Sequence, residues 1–339
     1  MHAGLLTPSR SEMSEIDSAK VFAVVAVLVA LASALLAGGL PIGCSIVVVF
    51  LFAGPHNWLE ARYMLSRMPA RWGPLRPFFL TGLLGVPLLT AAAAAMPHLL
   101  NWRGANAETW LVSTAIWNAC FGAWVLTLIH LRSREHAGRD WSLAVPIGLT
   151  LIAAGILWPI AWSLLLVYVH PLIAMWFLDR EIGKHRPECQ GAWRKCLLLV
   201  PALLGILWWS LWSAPDLPGE DLLSMQITNH AGASMLRGLS SHALVATHTF
   251  LEILHYGVWI IAIPYVGIRR APWSLDGIPL ARRATGWKLC VLAILTIGLL
   301  AVLTLWVGFL IDYPLTRDVY FTVAMLHVLA EVPFLLRLL

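Results

Sequence analysis

Residues 288–310 read KLCVLAILTIGLLAVLTLWVGFL. After Lys288 no charge appears until Asp312. About 20 consecutive apolar residues carry a helix across the hydrocarbon core of a bilayer, and this run is long enough to do so. Val21–Leu36 and Phe78–Ala95 are runs of the same kind. Over all 339 residues, 59% are hydrophobic and 12% charged. Soluble domains carry roughly 25% charged residues. A chain this poor in charge cannot cover a soluble surface, so lipid must cover it. The fold class that follows is all-α: a polytopic transmembrane helix bundle.

Working outward from that run, spans fall near 21–38, 41–64, 77–96, 109–131, 143–157, 159–181, 194–213, 241–267, 287–311 and 318–337. The fifth is short, and the sixth starts at Trp158–Pro159, so these two read as a hairpin or a broken helix. The loops support this set. Lys and Arg concentrate in short cytoplasmic loops. Here Arg62, Arg67, Arg71 and Arg76 follow the second span, and Arg132, Arg134 and Arg139 the fourth. Arg180, Lys184, Arg186, Arg194 and Lys195 follow the sixth, and Arg269, Arg270, Arg282, Arg283 and Lys288 the eighth. The alternate connections are poor in base, and Asp216–Asp221 is acidic. About ten spans with both termini cytoplasmic satisfy this alternation, and the expected location of such a chain is the inner (plasma) membrane of a bacterium.

Residues 1–20 read as a polar cytoplasmic segment, and residues 21–339 as a single transmembrane domain. Val21 onward reads as an uncleaved first span, despite small residues near Ala37. The longest outer connection, near 213–240, reads as a lid or re-entrant segment. The net charge of +5 is spread over loops rather than gathered in a basic stripe, so nucleic acid is not an expected partner. The bilayer and a lipophilic small molecule are. Cys44, Cys120, Cys189, Cys196 and Cys290 have no metal-site spacing and read as ordinary thiols. Trp102, Trp110, Trp141, Trp158, Trp193, Trp273 and Trp287 lie near span ends and read as an interfacial belt. Arg62–Arg76 reads as a solvated headgroup loop, Asp179–Arg180 as a helix-end ion pair, and Ala91–Ala95 as close helix packing. His98, His136, His185, His230 and His242 lie in loops or at ends and receive no role.

Ionisable residues inside a membrane are costly, and they mark function. Three glutamates fall within the spans, and each has a histidine four residues before it: His56–Glu60, His248–Glu252 and His327–Glu331. That spacing puts both side chains on one helix face. The eighth span adds His255, which completes a Glu-x-x-His unit of the type used by helix-bundle di-iron proteins. The sixth adds His170, followed by Pro171, and His130 lies at the inner end of the fourth. With 12 histidines in 339 residues, three such pairs are improbable by chance. The second, sixth, eighth and tenth spans run in the same direction. His56, Glu60, His170, Glu252, His255, His327 and Glu331 are therefore expected in one buried metal site, with His248 a turn or two further out.

Mixed imidazole and carboxylate ligands with open positions suit non-haem iron; copper and zinc also accept imidazole. The leading expectation is a membrane oxygenase or oxidoreductase with one or two iron ions and a lipophilic substrate that enters from the bilayer. A haem between two histidines, His170 with His255 or His327, is one alternative. A transporter with a His/Glu proton or cation relay is another.

The stretch Gly54-Pro55-His56-Asn57-Trp58-Leu59-Glu60 resembles the Pro-His-x-x-x-Asp motif of the Brp/Blh membrane carotene dioxygenases, and the eighth span is loosely similar to their histidine-rich helix. The resemblance implies a multi-helix protein that binds iron through histidines of several spans. It covers two short segments. The family's His-Phe-Gly motif is absent, its close histidine pair is here His248 and His255, and the three glutamates have no counterpart in it.

Overall fold

A computed structural model describes residues 10–135, 138–267 and 274–338. His136, Arg269, Arg270 and Trp273 lie outside the described residues. The helices, in chain order, are α1 (Arg10–Gly39), α2 (Pro41–Arg67), α3 (Arg76–Trp102), α4 (Ala107–Glu135), α5 (Ala144–Leu157), α6 (Pro159–His185), α7 (Pro187–Leu197), α8 (Leu199–Leu211), α9 (Leu222–His230), α10 (Ser241–Gly257), α11 (Ile263–Gly267), α12 (Thr285–Ile311) and α13 (Tyr313–Leu338). The protein is an all-α polytopic bundle. Among the described residues, nine helical stretches are long and apolar enough to cross a membrane, with α7–α8 and α10–α11 each forming one of them. The fifth expected span, α5, has only 14 residues. At 1.5 Å per residue it is about 21 Å long, short of a full crossing. Leu157 ends it, Trp158 leaves helical geometry, and Pro159 starts α6 with a nitrogen that needs no partner.

The chain forms two compact units. One comprises the residues up to Val49 with Pro171–Pro272, and the other Phe50–His170 with Trp273–Leu339. In the first, α1 packs on α10, α7 and α8, and α9 lies on α10. Ile227 and Ala231 of the outer connection bury against Leu244 and Val245 of α10, so the expected outer loop is a short helix seated on that span. Two cross-links fix it. The Ser241 backbone N–H donates to Asp216 Oδ1 at 2.8 Å, and the Leu217 N–H donates to Ser241 Oγ at 2.8 Å. Between α10 and α11 the helix widens into a π-turn over Val258–Ala262, where the Ile263 N–H reaches back to the Val258 carbonyl. Pro264 follows; it has no N–H for an α-helical bond to Ile260, and the wider turn relieves the clash its ring would make there.

In the second unit α3 packs against α13 and α4, α4 against α5, and α12 against α13. Phe78 and Phe79 of α3, Phe121 and Trp124 of α4, and Leu329 and Leu336 of α13 form its core. Tryptophans pin α2 to α12. The Trp58 indole donates to the Leu295 carbonyl and the Trp306 indole to the Phe50 carbonyl, each at 2.9 Å. Gly54 allows close approach there: a Cβ on it would lie 3.0 Å from Val302.

Three local expectations differ from what the fold shows. Arg62 is not a solvated headgroup residue, because α2 continues to Arg67. Its side chain is buried and donates to the Ser274 carbonyl at 2.9 Å. Asp179 pairs with Arg194 at 2.9 and 3.0 Å, two parallel bonds, while Arg180 stacks on Trp176 instead. Trp193 is buried, edge-on to Phe22, rather than part of an interfacial belt.

Candidate metal centre

The second unit gathers five of the eight expected ligands. His56 and Glu60 come from α2, His170 from α6, and His327 and Glu331 from α13. His56, Glu60 and Glu331 are essentially inaccessible to solvent. Pro55 cannot donate to the Leu51 carbonyl, and one residue on, the His56 ring folds back over the preceding turn, where Nδ1–H donates to the Phe52 carbonyl at 3.1 Å. That bond fixes the tautomer and presents Nε2 as the lone-pair nitrogen.

His170 is held in a comparable way. Its Nδ1 lies 3.1 Å from Glu331 Oε2, and its Nε2 lies 3.2 Å from Nε2 of His327. A carboxylate behind one imidazole nitrogen orients the ring and makes the other nitrogen a better ligand. The His56 and His327 rings, and the His170 and His327 rings, meet edge to face with centroids 5.0 Å apart. His327 therefore sits between the other two.

One ligand atom each from His56, Glu60 and His327 lies within 4.8 Å of the others. Donors sharing one ion at bonds of about 2.0–2.2 Å are separated by roughly 3–4.4 Å, so only slight closure is needed. Glu60 has no solvent exposure, and among the described residues neither of its carboxylate oxygens has a hydrogen-bond partner. Glu331 is close enough to act electrostatically on it. Each uncompensated charge at this depth costs about 2.5–3.5 kcal/mol even on the lenient insertion scale. A divalent cation compensates both carboxylates at once. This cluster of histidines and glutamates could hold a metal ion.

The other three expected ligands lie on α10 in the first unit. His248 Nδ1 is 3.9 Å from Glu252 Oε2, as their spacing required. The Tyr256 hydroxyl donates to Glu252 Oε1 at 2.8 Å. His255 is buried, its ring 5.7 Å from that of Tyr256. Tyr256, absent from the expected ligands, stands four residues beyond Glu252 and so on the same helix face. His230, which was expected to have no role, is brought by α9 edge-on to His248 with centroids 4.9 Å apart. His185, likewise given no role, pairs with buried Glu181 at 3.4 Å, a fourth pair at helical spacing with the order reversed. His242 contacts the Gly38 carbonyl at 2.9 Å, a packing role. No family model, curated protein or solved structure matches the chain.

Proposed function

We propose that the His56–Glu60–His327 cluster, with His170 and Glu331, binds a divalent metal, redox-active iron before copper, with zinc as the redox-inert competitor for the same ligands. On this reading the protein is a membrane oxidoreductase that uses dioxygen on a lipophilic substrate. The observation that carries it is Glu60. A carboxyl group with no solvent exposure and, among the described residues, no hydrogen-bond partner calls for a proton or a cation, and imidazoles at near-ligand separations favour the cation. Three imidazoles and one or two carboxylates form a donor set of the non-haem iron type. When bound, the metal would supply the one-electron and dioxygen chemistry. The chain's own share is to fix His56 through the Phe52 carbonyl, to aim His170 through Glu331, and to keep bulk water from the site by burial.

The haem alternative fits the pair His170 and His327 poorly. Two axial nitrogens with iron between them stand about 4 Å apart, twice a metal–nitrogen bond of about 2.0–2.1 Å. Here they stand 3.2 Å apart. The relay alternative has one specific support. His170 touches Glu331 through one nitrogen and His327 through the other, the arrangement through which a proton could pass.

Elemental analysis and the optical spectrum of the purified protein test the proposal. It calls for one or two irons per chain, no Soret band, and loss of the iron in Glu60→Gln and His327→Ala. Protein free of transition metal after purification in metal-supplemented medium would sink the proposal and leave the relay.

A further inference from the structure

The first unit contains a half-open apolar chamber of about 620 Å³, with Val21, Val25 and Ile261 of its lining exposed. That lies within the range of roughly 300–1,000 Å³ in which proteins hold small molecules. Its walls run from Ser18 to Ala30 on α1, from Met175 to Arg186 along and just past α6, from Cys189 to Val200 on α7 and α8, and from Leu254 to Val266 through the π-turn into α11. The π-turn residues Val258, Ile261 and Ala262 all face it, so the widening of that helix shapes one wall.

The chamber has a direction. Ser18 and Arg186 mark one end, where Arg186 Nη1 donates to Ser18 Oγ at 3.4 Å. From Ser18 to Ala30 is 12 residues of helix, about 18 Å, and from Met175 to Arg186 about 16 Å. Half of a hydrocarbon core of about 30 Å is one leaflet. The chamber is therefore about as long as one leaflet is deep.

Among the described residues that line the chamber, Arg186 is the single cation. Its guanidinium lies over the Tyr265 ring, 5.2 Å from the centroid. Among the described residues its buried Nε has no hydrogen-bond partner, and no carboxylate lies within ion-pair distance of it. Arg194 of the same unit, by contrast, has the two-bond pair with Asp179. A guanidinium prefers oxyanions, phosphate above all. An apolar slot one leaflet deep, closed at headgroup level by an arginine without a counter-charge, matches one class of ligand in both parts.

We infer that this chamber binds an anionic membrane phospholipid, one acyl tail in the slot and the phosphate on Arg186. The inference rests on this unit alone and is independent of any metal.

The test reconstitutes the full chain in nanodiscs of equal phosphatidylglycerol and phosphatidylcholine with identical tails, and reads retained lipid by native mass spectrometry. One headgroup-level arginine gives about fivefold enrichment of the anionic lipid. Arg186→Gln should bring that ratio to about one. Ala26→Trp, which fills the slot and leaves the charge, should lower the number of retained lipids. A wild-type ratio near one overturns the inference, and so does enrichment that survives in Arg186→Gln. If either variant fails to fold, the wild-type ratio still decides.

Discussion

The Nε2 atoms of His170 and His327 face each other at 3.2 Å. Two imidazole nitrogens on one ion, with bonds of about 2.0–2.1 Å and angles between 90° and the tetrahedral value, stand about 2.8–3.4 Å apart. The pair is therefore spaced as two ligands of a common metal are spaced, with Glu331 3.1 Å behind the first of them.

Glu331 should act through His170. Glu331→Gln is expected to weaken metal binding about 10–100-fold, the usual effect of removing an orienting partner. Adding that change to His170→Ala should then cost little more, because residues of one network are not additive. Metal titration of the two single variants and the double variant in detergent measures this. Full additivity would show that Glu331 acts without His170.

Gly85 should tolerate no side chain. A Cβ there would fall 1.9 Å from Trp124 Nε1, and that indole donates to the Thr81 carbonyl at 2.9 Å. Gly85→Ala must move a core tryptophan and break its bond, at roughly 1–3 kcal/mol for overpacking. Gly205 on α8 meets nothing within 4 Å, so Gly205→Ala should be neutral or stabilising, by up to about 1 kcal/mol. Thermal unfolding in one detergent compares the two, and equal midpoints would contradict the packing of α3 on α4.

What could be read from sequence was the part that depends on one helix at a time. Runs such as Leu289–Leu310 fixed the spans, and spacing of four put His56 with Glu60 and His327 with Glu331 on single faces. Contacts between helices carry no such period. Nothing local places His170 against both Glu331 and His327, or α9's His230 against His248. The burial of Arg62 is hidden from the sequence for a related reason. Hydropathy ends a span at an arginine, but a buried guanidinium is tolerated when a carbonyl such as that of Ser274 receives it. The π-turn left one trace, Pro264, which marks where an α-helical bond is lost but not how the helix responds.

The distribution of Lys and Arg predicts a topology. Reporter fusions after Arg76, Arg139, Lys195 and Arg283 should all report the cytoplasm. The short α5 makes the region around it the most informative: if α5 does not cross while α6 does, a fusion after Trp158 reports the cytoplasm instead of the outside, and the fusions at Arg139 and Lys195 fall on opposite sides.

The outer connection should loosen in acid, through Asp216. Its carboxylate accepts the Ser241 N–H at the start of α10, and that bond, helped by the Ser241 hydroxyl, holds its pKa below the ordinary carboxylate value, while slight burial works weakly the other way. A depressed folded pKa means the ionised form is the one the fold prefers. Its contribution is therefore complete above the unfolded value of about 3.9 and is lost as pH falls through the lower folded value. Between about pH 5 and 8 the contribution should be constant. Hydrogen exchange at the Leu217 and Ser241 amides reads it directly, since both take part in the cross-link. Once the intrinsic exchange rates are corrected for pH, protection at these two amides should hold down to about pH 4 and fall below it. Asp216→Ala should show the low-pH exchange at neutral pH, and Asp216→Asn, which keeps an acceptor oxygen but no charge, should lie between and lose its pH dependence. If protection at both amides is the same in Asp216→Ala as in the wild type, the carboxylate does not anchor this connection.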